Sequence, residues 1–459
     1  MERPVRQSWA ASVRTVVFAL MAAGVLVSIV AGGPLPFAQR LQPQRAALLR
    51  RGGDNVMLGY YLAVARGTPA DSAQIFLAWA SDLYRAALED DPSDFRLSLS
   101  AGIVLRELGD FSAARRLFPA LRPGQFDEGT RRALGGVYAL ALTEYPAISA
   151  IERSRDYLAG IGPGALLMAD GYRANKRPDL AQQTLENAAR RGRPLVTRLV
   201  VVGIVDGLIV LSGMVMVLCR VARRRRKAAA ADDEFPTSAH WGSRESVEAL
   251  VLWMFLSVAL GSAAVSLVPM SGAPPAYLLI APSLLSMVLA IGWVWGIARF
   301  RAGLGWDPAR GLRKVGIGVA TVGLAVAPAL AIYGLLQLLM GVSAADSPVL
   351  PLLMVPDTAI AKVFLLVAIG LVVPALEETL FRGILFGGLR RRWSYWPAAL
   401  VSAAIFAVVH QHVAGFVTYL LLGLIFAYLF EASRSLVTSW AAHAAFNVFN
   451  LMLLFALFG

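Results

Sequence analysis

Cysteine is almost absent from this 459-residue chain. Cys219 stands alone, which excludes an intrachain disulfide framework and a cysteine-rich zinc site. Histidine is nearly as scarce, at four residues. Charge is also low: 16% of residues are Asp, Glu, Lys or Arg, against about 25% in soluble domains. Lysine supplies only four of the 43 basic residues. What fills the space is apolar, since 57% of the chain is hydrophobic and the mean hydropathy is +0.61. These figures argue against a wholly soluble domain and exclude uniform disorder and collagen. The net charge of +13 would suit nucleic acid, but the basic residues border long apolar runs. They are read as orientation signals against membrane lipid, and no nucleic-acid partner is expected.

The sequence therefore predicts an all-α polytopic membrane protein. Nine stretches reach the roughly 17–25 apolar residues that a bilayer crossing needs. The first runs from about Val13 to Gly32 and the second from about Leu195 to Cys219; the others start near Ala249, Tyr277, Val315, Ala359, Trp396, Ala414 and Leu436. Arg3, Arg6 and Arg14 precede the first, and Arg223–Lys227 follow the second. Arg299, Arg301, Arg310, Arg313 and Lys314 lie between the fourth and fifth. Arg390–Arg392 lie between the sixth and seventh, and Arg434 between the eighth and ninth. The loops Ser271–Ala276 and Gly341–Asp357 have no Lys or Arg. Nine crossings put every basic loop on one side, the cytoplasm by the positive-inside rule. A cleavable signal peptide ending near Ala31-Gly32-Gly33 is the alternative reading of the first 40 residues. The bias of Arg over Lys fits a GC-rich bacterium, hence a bacterial inner membrane.

The expected organisation is an N-terminal anchor (1–33), an extracytoplasmic helical domain (34–194), a second span (195–220), a basic cytoplasmic linker (221–248) and a membrane domain (249–459). Residues 34–194 repeat with a step of 34: Ala101-Gly102, Gly135-Gly136 and Ala169-Asp170; Ala113, Ala147 and Ala181; Leu117, Ile151 and Leu185. With Ala87–Pro92 and Leu108–Ala114, the first copy resembles a tetratricopeptide repeat, in which small residues let paired helices approach closely. The resemblance implies a concave surface for a peptide or protein partner; the plainer reading is a helical bundle with a chance period. Asp206 in the second span can reach interfacial water, and Lys362 can snorkel.

Ionisable residues inside spans are expensive and so mark candidate function. They concentrate at Glu377, Glu378, Arg382, His410, His412 and His443, joined by Asn447. On a helix, Glu378 and Arg382 are i and i+4 and can pair. Glu377 is rotated about 100° away, which frees it as a candidate general base for water. A structural ion cluster at the interface is the bland alternative. His410 lies one turn after Phe406, and His443 and Asn447 share a face. Glu377-Glu378-x-x-x-Arg382, Phe406-x-x-x-His410 and His443-x-x-x-Asn447, in that order, resemble the three motifs of the CPBP (Abi, or type II CAAX prenyl endopeptidase, Rce1-like) intramembrane proteases. The resemblance covers roughly residues 250–459.

It implies an endopeptidase of membrane-associated peptides or proteins. Glu377 would activate the attacking water, and His410 would hold that water or a metal. His443 and Asn447 would stabilise the oxyanion, and Glu378 and Arg382 would orient the site. His412 falls outside the motifs. The family is often called metalloprotease, and Glu377, His410 and His443 could ligate zinc with water in the fourth place. A metal-free Glu-activated water is equally compatible, because no His-Glu-x-x-His motif is present. A proton-coupled transporter using buried Glu and His is the rival class, and an inactive protease-like scaffold a third; the chain shows no inverted internal echo to favour transport.

Overall fold

The structure is a computed structural model that describes residues 17–22, 35–68, 70–118, 126–143, 145–195, 197–198, 201, 204, 241–271, 275–297, 305–309, 311–340, 358–410 and 415–458. Most of the first two expected spans lies outside these residues, as do Asp206, Cys219, Arg223–Lys227, the loop Gly341–Asp357 and His412. Every regular element among the described residues is helical. The chain divides into two compact units, one built chiefly from Gln39–Val202 and the other chiefly from Gly203–Val342 and Pro351–Met452.

The first unit comprises α1 (Leu35–Ala65), α2 (Ala70–Asp90), α3 (Phe95–Glu107), α4 (Phe111–Leu117), α5 (Glu128–Leu142), α6 (Ile148–Ala159), α7 (Gly164–Ala174) and α8 (178–195). Aspartates set three of the helix starts. Asp94 accepts from the Arg96 and Leu97 amides, Asp110 from Ala113 and Asp127 from Thr130. Those amides, with the side chains of Ser112 and Thr130, hold Asp110 and Asp127 below the usual carboxylate range. Successive helices pack as antiparallel neighbours, α3 on α4 and α5 on α6.

The 34-residue step is only partly expressed in this packing. A Cβ on Gly136 would come 2.5 Å from the Ala150 carbonyl, so α5 and α6 approach as closely as small residues allow. Ala101, Ala169, Ile151 and Leu185 are buried. Ala147, by contrast, is the exposed N-cap of α6, and Ala150 takes the packing position. The cause is the break at Pro146, which delays the helix start by several residues.

The second unit comprises α9 (Ser243–Ser271), α10 (Pro275–Ile297), α11 (Gly311–Met340), α12 (Ala359–Arg390), α13 (Tyr395–Val409), α14 (Phe416–Ser433) and α15 (Leu436–Phe458). Within the described residues, four stretches are long and apolar enough to cross a membrane: Ser243–Ala264, Ala359–Arg390, Phe416–Ser433 and Leu436–Ala456. Ile280–Gly296 and Tyr395–Val409 are shorter apolar helices, and α11 is helical for 30 residues.

Helix α12 is 32 residues long, roughly 48 Å at 1.5 Å per residue, so it exceeds a perpendicular crossing of about 30 Å. It is not uniformly α. Ala368–Val372 and Thr379–Phe386 are wound as π-helix. Pro374 accounts for the first, because it has no N–H to return to the preceding turn. In π-winding its acceptor five residues back would be Ile369, and the Asn447 amide donates to that carbonyl instead, at 3.0 Å. Other neighbours do the same along α12. Trp440 Nε1 donates to Leu371 O at 2.9 Å and Ser402 Oγ to Phe381 O at 3.0 Å. Ile384 O accepts from both Ser246 Oγ at 2.8 Å and Trp241 Nε1 at 3.2 Å. Backbone left unpaired in an apolar environment costs several kcal/mol per group, so these side chains are what makes the altered winding tolerable.

Candidate active site

The two π-wound stretches flank Val373–Glu378, which carries the carboxylates. Glu378 and Arg382 are both fully buried, and Arg382 Nη1 lies 3.0 Å from Glu378 Oε1. The i,i+4 pairing expected from sequence is present. Arg382 is further fixed by its Nη2, which donates to the Gly423 carbonyl of α14 at 3.3 Å. Its guanidinium sits 4.4 Å from the ring centre of Phe406 and 5.1 Å from that of Phe426. Aromatic faces replace part of the hydration that a buried guanidinium loses.

His443 enters from α15 and joins both carboxylates. Its Nδ1 is 3.0 Å from Glu378 Oε1 and its Nε2 is 3.5 Å from Glu377 Oε2. Glu378 Oε1 thus faces the arginine as an ion pair and the imidazole as a hydrogen-bond partner, while among the described residues the buried Glu378 Oε2, Arg382 Nη1 and Arg382 Nε make no hydrogen bond. The carboxylate faces Nδ1, so Nδ1 is the nitrogen that donates to it. Nε2 faces the second carboxylate, Glu377. A proton or a bridging water shared by Nε2 and Glu377 makes this 3.5 Å approach favourable.

His410 closes α13 as its C-cap residue. Its Nδ1 lies 2.6 Å from the Phe406 carbonyl, so it too is the protonated nitrogen and Nε2 is left for chemistry. The His410 ring stacks on Tyr419 at 4.2 Å and the His443 ring on Phe426 at 4.8 Å. Phe406 lies between the two imidazoles, 4.6 Å from His410 and 5.7 Å from His443.

The structure therefore brings Glu377, Glu378, Arg382 and His443 into direct contact, with His410 across Phe406. Asn447 shares the face of His443, but one of its amide hydrogens is spent on Ile369 O. Tyr419 and Phe426 were not singled out by the sequence. An aromatic pair seven residues apart on a helix reads as ordinary core, and only the fold reveals what each ring covers. Among the described residues, no three His, Cys, Asp or Glu side chains converge as a metal ion requires. As placed, Glu377, His410 and His443 do not gather around one point as a three-ligand zinc set would.

Comparison with known proteins falls on this same stretch. Residues 359–449 match the family described as Type II CAAX prenyl endopeptidase Rce1-like. A CAAX-protease-like domain thus occupies the C-terminal part of the chain, and it contains Glu377, Glu378, Arg382, His410, His443 and Asn447. The chain is 30% identical over 97 residues to the candidate membrane peptidase YdiL of Bacillus subtilis (strain 168), covering 21% of this chain and 40% of that protein. It is 30% identical over 83 residues to protein YxdF of Lactococcus lactis subsp. lactis (strain IL1403), covering 18% of this chain and 45% of that one. The chain thus spans less than half the length of these relatives. No solved structure matches it significantly. The family match and the apolar helices indicate a membrane protein with peptidase relatives.

Proposed function

We propose that this chain is an intramembrane endopeptidase that hydrolyses a peptide bond of a membrane-associated protein or peptide. One observation carries the reading. Glu377 Oε2 and His443 Nε2 face each other at 3.5 Å, among apolar helices, while Glu378 grips the other side of the same imidazole. This is a site for one shared proton or one water. In the proposed reaction, Glu377 takes a proton from water as the oxygen attacks the peptide carbonyl. That proton passes to His443, and the imidazolium donates to the tetrahedral oxyanion and then to the leaving amine. Glu378 stabilises the charged ring, in the way an orienting carboxylate serves a histidine base. His410 Nε2 accepts from the attacking water. Asn447, through its second amide hydrogen, assists at the oxyanion. Arg382 positions Glu378.

The first unit belongs to the same proposal as a tetratricopeptide-like domain on the extracytoplasmic side that recruits a protein or peptide. Its support is the pairwise helix packing and the tight α5–α6 approach at Gly136.

The decisive test is cleavage of a fluorogenic peptide with an apolar segment by the purified full-length chain in nanodiscs. Loss of cleavage in Glu377→Gln and in His443→Ala is expected, with unfolding temperature retained in the former. Retained cleavage in both variants overturns the reading. Chelation provides the metal arm: inhibition reversed by zinc would bring a metal into the mechanism.

A further inference from the structure

The helical unit contains a part-open cavity of about 220 Å³ that takes no part in the membrane site. A single water needs only about 10–15 Å³, so this space suits a long side chain or small ligand. Its walls are mostly apolar, with Leu58 of α1, Ile161 before α7, Met168 of α7 and Ala188 of α8. Two charged residues line it, Asp54 and Arg191.

Asp54 is held firmly. Tyr84 Oη donates to its Oδ1 at 2.7 Å. A Cβ on Gly162 would lie 2.2 Å from the same oxygen, so only glycine permits this wall to close on the carboxylate. Among the described residues Asp54 has no ion-pair partner within 4 Å. Arg50 is the nearest cation acting on it, but its Nη1 is engaged by Asp94 Oδ2 at 3.3 Å. Arg191 donates through Nη1 to the Ala159 carbonyl at 2.9 Å. Burial raises the proton affinity of Asp54 despite its Tyr84 and Gly162 bonds, so those bonds do not offset the loss of water.

A fixed, unpaired carboxylate in an apolar chamber selects a cation on an aliphatic stem. We propose that this cavity is a binding site for a lysine side chain presented by a peptide or protein partner. Lysine is preferred over arginine because Tyr84 and the Gly162 amide already take part of the Asp54 carboxylate's accepting capacity, leaving less for a two-pronged partner. A point-charge ammonium satisfies that acceptor, whereas a guanidinium fork seeks two oxygens. The lysine stem covers the Leu58, Ile161 and Met168 walls. This inference deepens the recruitment role proposed for the helical unit and rests on it for the peptide nature of the ligand.

The test uses the full-length chain in nanodiscs and titration calorimetry with three probes, acetyl-Ala-Lys-Ala-amide and its norleucine and arginine counterparts. The lysine peptide is expected to bind at least tenfold more tightly than the norleucine peptide. That preference should vanish in Asp54→Asn, which keeps an acceptor for Tyr84, and in Ala188→Met, which fills the chamber. Thermal unfolding checks that both variants remain folded, and Asp54→Asn alone decides if Ala188→Met does not. Equal binding of lysine and norleucine peptides, or full binding to a folded Asp54→Asn, overturns the lysine site while leaving peptide recruitment standing. Absence of binding by all three, together with a scan of longer lysine-containing and lysine-free peptides, overturns the lysine site and recruitment together. Tighter binding of the arginine peptide overturns the preference for lysine.

Discussion

At the scale of single residues, His443 is the junction, because two adjacent carboxylates of one helix meet the two nitrogens of one ring. The two carboxylates should fail differently. Glu377 keeps 12% of its side chain exposed, so Glu377→Gln should cost about 10²–10⁴-fold in kcat with little change in unfolding temperature. Arg382→Ala leaves the fully buried Glu378 without its cation, and should cost about 3–5 kcal/mol of stability, read by thermal or denaturant unfolding in detergent. If Arg382→Ala proves as stable as the parent, the ion pair has no structural role. Tyr419 offers a finer test. Tyr419→Ala removes the ring stacked over His410, frees the imidazole and should lower kcat more than it raises KM.

At the scale of elements, α12 owes its course to its neighbours. Asn447→Leu removes the donor that Ile369 O receives in place of the Pro374 N–H. It should destabilise the membrane unit by about 1–3 kcal/mol, measured by unfolding. Lost cleavage at unchanged stability would instead make Asn447 purely a catalytic group. Much of this region was legible beforehand. The apolar runs marked α9 to α15, and the i,i+4 spacing foretold the Glu378–Arg382 pair. The π-winding was not legible, because it depends on whether Trp440, Ser402, Trp241 and Ser246, distant in sequence, can reach freed carbonyls. The partial repeat in the helical unit shows the same limit. A period of 34 put Ile151 and Leu185 at one repeat position, and both are buried, but Pro146 moved Ala147 out of register.

At the scale of the whole molecule, charge sets both pH response and orientation. Glu107 and Asp170 form a carboxylate pair bridged by Arg106, whose Nη1 reaches Glu107 at 2.8 Å and Asp170 at 2.7 Å. Burial, then the Asp170 charge, raises Glu107 to about 8. Asp170, which Arg173 also reaches at 2.8 Å, stays below its ordinary range. A carboxyl with a raised folded-state value binds more protons folded than unfolded, so stability falls as pH rises from its ordinary value near 4.3 towards about 8. Unfolding temperatures of the full chain should decline across that window, and Glu107→Gln should flatten the decline. Orientation is testable because only one native thiol has to be removed. In a Cys219→Ser background, Ser112→Cys should react with a membrane-impermeant maleimide added outside spheroplasts. Labelling only after lysis would invert the topology proposed here.

The struts on α12 also bear on biosynthesis. Its second winding is secured by α9 and α13, but its first depends on Asn447 and Trp440 of α15, which also brings His443. Ribosomal synthesis releases α12 well before α15. A half-made chain therefore has its acids without their imidazole and its helix without its brace, so the Glu377–His443 pair exists only once assembly is complete.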